Sequence, residues 1–260
     1  MNESSVSSVA PAVKVALVTG AASGIGRACA LSLARSGYRI AVSYRSRAAD
    51  AKALLNELDG DGHALFCCDV TDAVQADQLV QQVRQHYGQI DVLVNAAGLF
   101  TRQDIAGQDF EQWQQQWAAC LHLNLTAPMN LAFLVADGMI ARRQGKIVNI
   151  TSRGAFRGEP NAPAYGAAKS GLNSASQSLA QALGQYGIHV YAVAPGWTET
   201  PSASPRIKAA GWDDVAAQSP LGRIGQPSEI GDLVAYLCSD NTAYLTGAII
   251  DANGASYLRN

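Results

Sequence analysis

The chain has 260 residues, 48% of them hydrophobic and 15% charged, a length and balance that bury a sizeable core in one globular domain. Lys plus Arg number 19 against 21 Asp plus Glu, a formal charge of -2 with no dense basic run, which argues against nucleic acid as a main partner. No apolar run in the sequence reaches the roughly 18 residues that a membrane helix needs, and the polar, Ser-rich start over residues 1–12 lacks the basic onset and apolar stretch of a secretory signal. A cytoplasmic protein with a loose N-terminal tail and no membrane partner is expected.

Short apolar runs rich in Val and Ile recur along the chain: VKVALV (13–18), YRIAVSY (38–44), HALFCC (63–68), IDVLVNA (90–96), KIVNIT (146–151), IHVYAVA (188–194) and GAIIDA (247–252). Most are apolar at consecutive positions instead of alternating, as parallel strands covered on both faces require. Helical spacing fills the intervals in CALSLARSG, in ADQLVQQVRQHYG and from Ala164 to Tyr186, with Gly37, Gly88 and Gly187 as stops. This repeated βα rhythm predicts an α/β domain with an open, mostly parallel sheet of about seven strands sandwiched between helices. Residues 198–226 break the rhythm with Pro201, Pro205, Pro220 and a short helix-like piece around Ile207–Ala217. A connection of this length in a compact domain is expected to form a lid.

The first strand runs into Thr19-Gly20-Ala21-Ala22-Ser23-Gly24-Ile25-Gly26 and then an Ala- and Leu-rich helix. Glycines there allow a sharp turn and let backbone N–H groups approach a pyrophosphate at the helix N-terminus. Their spacing, GxxxGxG, differs from the GxGxxG of the common dinucleotide fingerprint. In NAD-binding sheets of this kind an acid at the end of the second strand bonds the adenosine ribose. Here that tip reads Tyr44-Arg45-Ser46-Arg47, with no acid before Asp50. An arginine there pairs with a 2′-phosphate, which favours NADP(H), and Arg45 is the nearer of the two to the strand end. Asp69, past the third strand, is placed to accept from an adenine amino group, and Asn95-Ala96-Ala97-Gly98 puts small residues where a ribose must come close.

The chemistry points to Tyr165-Gly-Ala-Ala-Lys169, a spacing that sets both side chains on one helix face. Tyrosine is a poor base at neutral pH, and a neighbouring ammonium favours its phenolate. The phenol then serves as proton donor to a carbonyl or as base toward an alcohol. Ser152, just past the fifth strand, is placed to bond the substrate oxygen as charge develops, and Asn124, between the fourth and fifth strands, to hold a water near the lysine. The cysteines, Cys29, Cys67, Cys68, Cys120 and Cys238, form no CxxC, and His63, His86, His122 and His189 lack ligand spacing, so free thiols and no metal are expected.

From about Val13 to Gly254 the sequence resembles the short-chain dehydrogenases/reductases, and within them the 3-oxoacyl-(acyl-carrier-protein) reductase-like branch. The motifs are TGAASGIG at 19–26, Cys68-Asp69-Val70, NAAG at 95–98 and the tetrad Asn124, Ser152, Tyr165 and Lys169. The resemblance implies a single Rossmann-type doubly wound domain over 13–260. It implies NADP(H) held by Gly20, Ser23, Gly24, Ile25 and Gly26, by Tyr44, Arg45 and Ser46, by Asp69 and Val70, by Asn95, Ala96, Ala97 and Gly98, and by Tyr165 and Lys169. Pro195-Gly196, Thr198 and Thr200 resemble the turn on which the nicotinamide half rests. A homotetramer is also implied, with contacts through helices around 111–141 and 163–186 and through the last strand. Two positions depart from the family pattern: Ser23 stands where many NADPH-preferring relatives carry a basic residue, and Asp251-Ala252-Asn253-Gly254 lacks the usual paired glycine.

For the substrate, Arg153 and Arg157 are placed to attract an anion and Trp197 to offer a flat apolar contact, with Phe156, Glu159 and the lid residue Trp212 nearby. The expected function is NADPH-dependent reduction of a small-molecule ketone or acyl carbonyl to the secondary alcohol. An NAD-dependent alcohol, sugar or steroid dehydrogenase and a dinucleotide-binding regulatory protein without turnover remain as alternatives, the Tyr165–Lys169 pair arguing against the latter.

Overall fold

The computed structural model describes residues 13–259, and the tail expected at 1–12 lies outside them. The first half alternates β1 (Val15–Thr19), α1 (Gly24–Arg35), β2 (Arg39–Tyr44), α2 (Ala48–Leu55), β3 (Ala64–Cys67), α3 (Ala73–Tyr87) and β4 (Val92–Asn95). Then come α4 (Phe110–Leu121), a π-helical turn (His122–Thr126), α5 (Ala127–Arg142), β5 (Gly145–Ile150), the short α6 (Gly154–Arg157) and α7 (Pro163–Leu183). The chain ends with β6 (Ile188–Pro195), α8 (Ser204–Ala210), α9 (Trp212–Ala216), α10 (Pro227–Leu237) and β7 (Ile249–Ala252).

All seven expected strands form, and they pair in parallel in the order β3-β2-β1-β4-β5-β6-β7. Strands with apolar side chains on both faces need helices on both sides. One core layer joins Val18, Val42, Val94 and Tyr191 to α1 and α10, the other joins Leu17, Leu93, Ile147 and Val190 to α3, α5 and α7. The order reverses between β1 and β4, whose following helices α1 and α5 lie on opposite faces of the sheet, and a crevice forms above the strand ends there.

The helical run after β4 is more apolar on average than its interrupted sequence suggests, although no unbroken apolar run lies within it. Helix, π turn and helix run continuously from Phe110 to Arg142, and one 18-residue window reaches a mean hydropathy of 1.4, enough by length and composition to cross a bilayer. Its apolarity has a local cause: Leu131, Ala132, Val135 and Met139 are buried against the sheet and α3. Residues 198–226 form an excursion pinned at both ends, where Thr198 pairs with Gly225 and Gly225 N–H donates to Trp197 O at 3.0 Å. Within it Ala203, Ile207, Val215, Ala216 and Ile224 pack into a small core of their own.

Helices α1 and α10 meet backbone to backbone. A Cβ on Gly231 would lie 2.5 Å from Ala28 O and 2.9 Å from Ser32 Oγ, while Ser32 Oγ donates to Asp232 at 2.7 Å. Gly231→Ala therefore forces these helices apart, and overpacking of this kind costs about 1–3 kcal/mol and roughly 5 °C in Tm. Calorimetry on the variant checks this; an unchanged Tm contradicts the contact.

Candidate active site

A cleft of about 880 Å³ opens along the carboxyl edge of the sheet. At one end lie Gly20, Ser23, Gly24, Ile25 and Gly26, Tyr44, Arg45 and Ser46, Asp69 and Val70, and Ala96, Ala97 and Gly98. Gly20 has φ +64, and a Cβ there would sit 2.9 Å from Ala97 Cα; a Cβ on Gly26 would collide with Gly20 O. The turn is thus pressed against both β4 and its own helix, a close approach only glycine permits. Ser23 precedes α1 without capping it through its side chain, which leaves the first N–H groups of the helix available to an anion. Thr19, absent from the sequence expectations, closes the seam: its hydroxyl accepts from Ala96 N (3.1 Å) and Ala97 N (3.2 Å).

Arg45 faces the cleft with Nη1 3.5 Å from Asp69 Oδ2, and Arg47 lies beside it, 3.6 Å from Asp50. Asp69 is held below the usual carboxylate range, first by the hydrogen bond from the Thr71 hydroxyl (2.7 Å) and then by Thr71 N–H and Arg45. The arrangement suits a dinucleotide: glycines for the pyrophosphate, and two arginines with no acid at the β2 tip for a 2′-phosphate.

Asn95 is not among the cleft-lining residues. It is buried below the floor, where its Nδ2 donates to Asn149 Oδ1 (2.8 Å) and Asn149 Nδ2 donates to Ser176 Oγ (2.9 Å) on α7. This chain of amides ties β4 and β5 to the helix that carries Tyr165 and Lys169. Gln103 fixes the start of that helix, accepting from Ala164 N at 3.1 Å.

At the other end Ser152, Tyr165, Lys169 and Asn124 converge, with Pro195, Gly196, Thr198 and Thr200 along the wall. Lys169 is buried, and its Nζ donates to Ile150 O at 2.9 Å and lies 5.8 Å from the Tyr165 ring centre. With no carboxylate beside it, desolvation pulls its pKa down to about 8. Burial pushes the Tyr165 phenol up, while the Ser152 hydroxyl and then the positive charge of Arg206 pull it back. Arg206 is thus a further cation beside the phenol, one the sequence did not point to, in addition to Lys169. Asn124 spends its side chain on the loop after β4, accepting from Leu99 N (3.2 Å) and donating to Leu99 O (2.8 Å).

Of the expected substrate residues, Arg153, Arg157 and Trp197 line the cleft and Trp212 does not; the indole is half-exposed on α9. Arg153 is buried and bonded to Gln218 Oε1 and Ser256 Oγ, so it anchors the C-terminal segment instead of reaching toward a ligand. Phe100 and Arg206 join the site unforeseen.

A family model described as enoyl-(acyl carrier protein) reductase matches residues 20–254. The 3-oxoacyl-(acyl-carrier-protein) reductase FabG of Staphylococcus aureus is 36% identical over 250 residues, covering 94% of this chain and 98% of the relative. The chain belongs to the short-chain dehydrogenase/reductase family. FabG of Escherichia coli is likewise 36% identical, over 247 residues covering 94% of this chain and 98% of the relative. Among solved structures, a tryptophan variant of actinorhodin polyketide ketoreductase with NADPH superposes with a TM-score of 0.87 at 35% identity, covering 94% of this chain and 97% of the other. Membership makes the protein an oxidoreductase.

In this short-chain dehydrogenase/reductase the unpaired, buried Lys169 is a stability cost. Its folded pKa of about 8 lies below the ordinary 10.5, so between these values the unfolded chain holds a proton that the folded chain has lost, and rising pH relieves the penalty. Lys169→Met is expected to raise Tm by a few degrees at pH 7, with the gain shrinking between about pH 8 and 10.5. Thermal denaturation across that range checks it; a lower Tm at pH 7, or a gain independent of pH, contradicts it.

Proposed function

We propose that this enzyme reduces a ketone or 3-oxoacyl substrate to the secondary alcohol with NADPH, Tyr165 giving the proton. The observation that carries the reading is one continuous cleft with a glycine cradle and paired arginines at one end and the Ser152–Tyr165–Lys169 cluster at the other. Relatives named as 3-oxoacyl reductases and a ketoreductase named with NADPH support the substrate class and the cofactor. The bound nicotinamide supplies the hydride. The protein's part is orientation and proton supply: Ser152 Oγ steadies the carbonyl oxygen, and Tyr165 Oη donates to it as negative charge appears. Burial favours the protonated phenol, so Tyr165 holds the proton that reduction consumes. Lys169 presents its Nζ at the floor, where ribose hydroxyls would rest.

The excursion at 198–226 serves as the lid of this site in the same reading. A homotetramer would cover Phe110 and Phe133 of the 110–142 run and Tyr244 and Leu245 before β7, which are exposed in the single chain.

Fluorescence titration with NADPH and NADH tests the cofactor assignment on the parent and on Arg45→Ala. NADPH is expected to bind at least about tenfold tighter, roughly 1.4 kcal/mol, and the variant to lose that gap. Equal or tighter NADH binding, unaffected by the substitution, contradicts the assignment.

A further inference from the structure

Arg206 differs from most cations around the cleft; Arg157 is also without an ion pair or hydrogen bond among the described residues, but it is exposed. Arg45, Arg47 and Arg102 each face a carboxylate, at Asp69, Asp50 and Asp104, and Arg153 is spent on Gln218 and Ser256. Arg206 is half-buried on α8, yet among the described residues its guanidinium makes no ion pair and no hydrogen bond. It lies over an aromatic wall, with its central carbon 3.9 Å from the Phe100 ring centre and 5.4 Å from that of Trp197. Phe100 in turn sits 5.1 Å, centre to centre, from the ring of Tyr165, which places the guanidinium and the phenol on either side of one aromatic ring.

An arginine carries five N–H donors, and withdrawing them from water without partners is unfavourable. The cation–π contact with Phe100 offsets part of that cost and holds the guanidinium in place, where its planar fork can receive a carboxylate in two parallel bonds. The neighbouring Ile207 is fully buried in the small core of the excursion, which holds the arginine from behind. The charge around it points the same way: Arg102, Arg153, Arg157 and Arg206 line this end against a single carboxylate, Glu159. The Glu159 side chain packs over Gly154 and does not reach Arg206 to pair with it.

We propose that Arg206 is a specificity-determining residue that clamps the free carboxylate of an oxo-acid substrate whose ketone lies against Tyr165 and Ser152. The proposal rests on the reductase reading above and narrows its substrate from carbonyl compounds at large to those bearing an anion near the ketone. The carboxylate takes no part in bond changes; hydride and proton add across the ketone as before. The contact also places a cation beside the phenol, in keeping with the effect of Arg206 on Tyr165.

The test compares acetoacetate with its methyl ester and its N-acetylcysteamine thioester, following NADPH consumption by the parent, Arg206→Ala and Arg206→Lys. The parent is expected to favour the free acid over both neutral analogues by about tenfold or more in kcat/KM. Arg206→Ala should cut that preference at least about tenfold, mainly through KM for the acid, with Arg206→Lys intermediate. A parent that prefers the ester or thioester, or an acid preference unchanged in Arg206→Ala, overturns the clamp. Calorimetric titration of acetoacetate into the NADP+-loaded protein separates this from the parent reading. Binding that weakens tenfold in Arg206→Ala, with no reduction of any ketone, upholds the clamp and contradicts the reductase; turnover of the ester without acid binding does the reverse.

Discussion

The ends of β1 and β4 touch with no space for a side chain between them, and the rest of the site is laid out from that contact. Gly20 passes within van der Waals reach of Ala97, and Gly26 lies against Gly20 O, which presses the start of α1 onto the seam. The Thr19 hydroxyl takes the N–H groups of Ala96 and Ala97, so the chain leaving β4 cannot drift from the chain leaving β1. Here the order of strands reverses and the edge opens, which is where an α/β sheet can admit a ligand. Beneath it the Asn95–Asn149–Ser176 bonds carry the same register to α7. The glycine turn and the Tyr165 cluster are therefore mounted on one rigid frame, although more than a hundred residues separate them in sequence.

The site built on this frame holds charge in places a core would not tolerate for stability alone. Among the described residues Lys169 has only the Ile150 carbonyl as a hydrogen-bond acceptor, and Arg206 has only aromatic faces. Both are costs in the folded chain, and on the proposed reading a bound ligand offsets them, by ribose hydroxyls at one and an anion at the other. Function and stability are in tension at both positions, the usual situation at a site shaped for a partner. The phenol between them feels burial first, then the Ser152 hydroxyl, then the Arg206 charge, so the excursion that brings Arg206 to the cleft also bears on the Tyr165 hydroxyl.

The frame was legible in the sequence because it is written in consecutive residues. Apolar runs without alternation specified seven parallel strands, and the glycine turn and the Tyr165–Lys169 spacing are local patterns that need no knowledge of what lies across the cleft. What sequence reading missed depends on contacts between distant segments. Arg153 looked available beside Ser152, but Gln218 and Ser256 come from far along the chain to occupy it. Trp212 was assigned to the pocket from its place in the lid-like segment, and a tryptophan on a five-residue helix carries no local sign of which way it faces. Arg206 gave no signal at all until Phe100, from the loop after β4, came to lie under it. Asn95 fell in a recognisable motif, yet its bond to Asn149 depends on the pairing of β4 with β5. The continuity of the 110–142 run rests on a π turn around the buried Asn124, which neither hydropathy nor spacing announced.

The central claim is that Tyr165 delivers a proton within a site that also holds the dinucleotide. It is tested most directly by single-turnover oxidation of enzyme-bound NADPH, followed by nicotinamide absorbance after mixing with a ketone, in the parent and in Tyr165→Phe. Removing the hydroxyl keeps the ring against Phe100 and takes away only the proton, so the account predicts a variant that still binds NADPH and transfers hydride about a hundredfold more slowly or less. Hydride transfer at the parental rate in Tyr165→Phe would contradict it and move the proton source to another group.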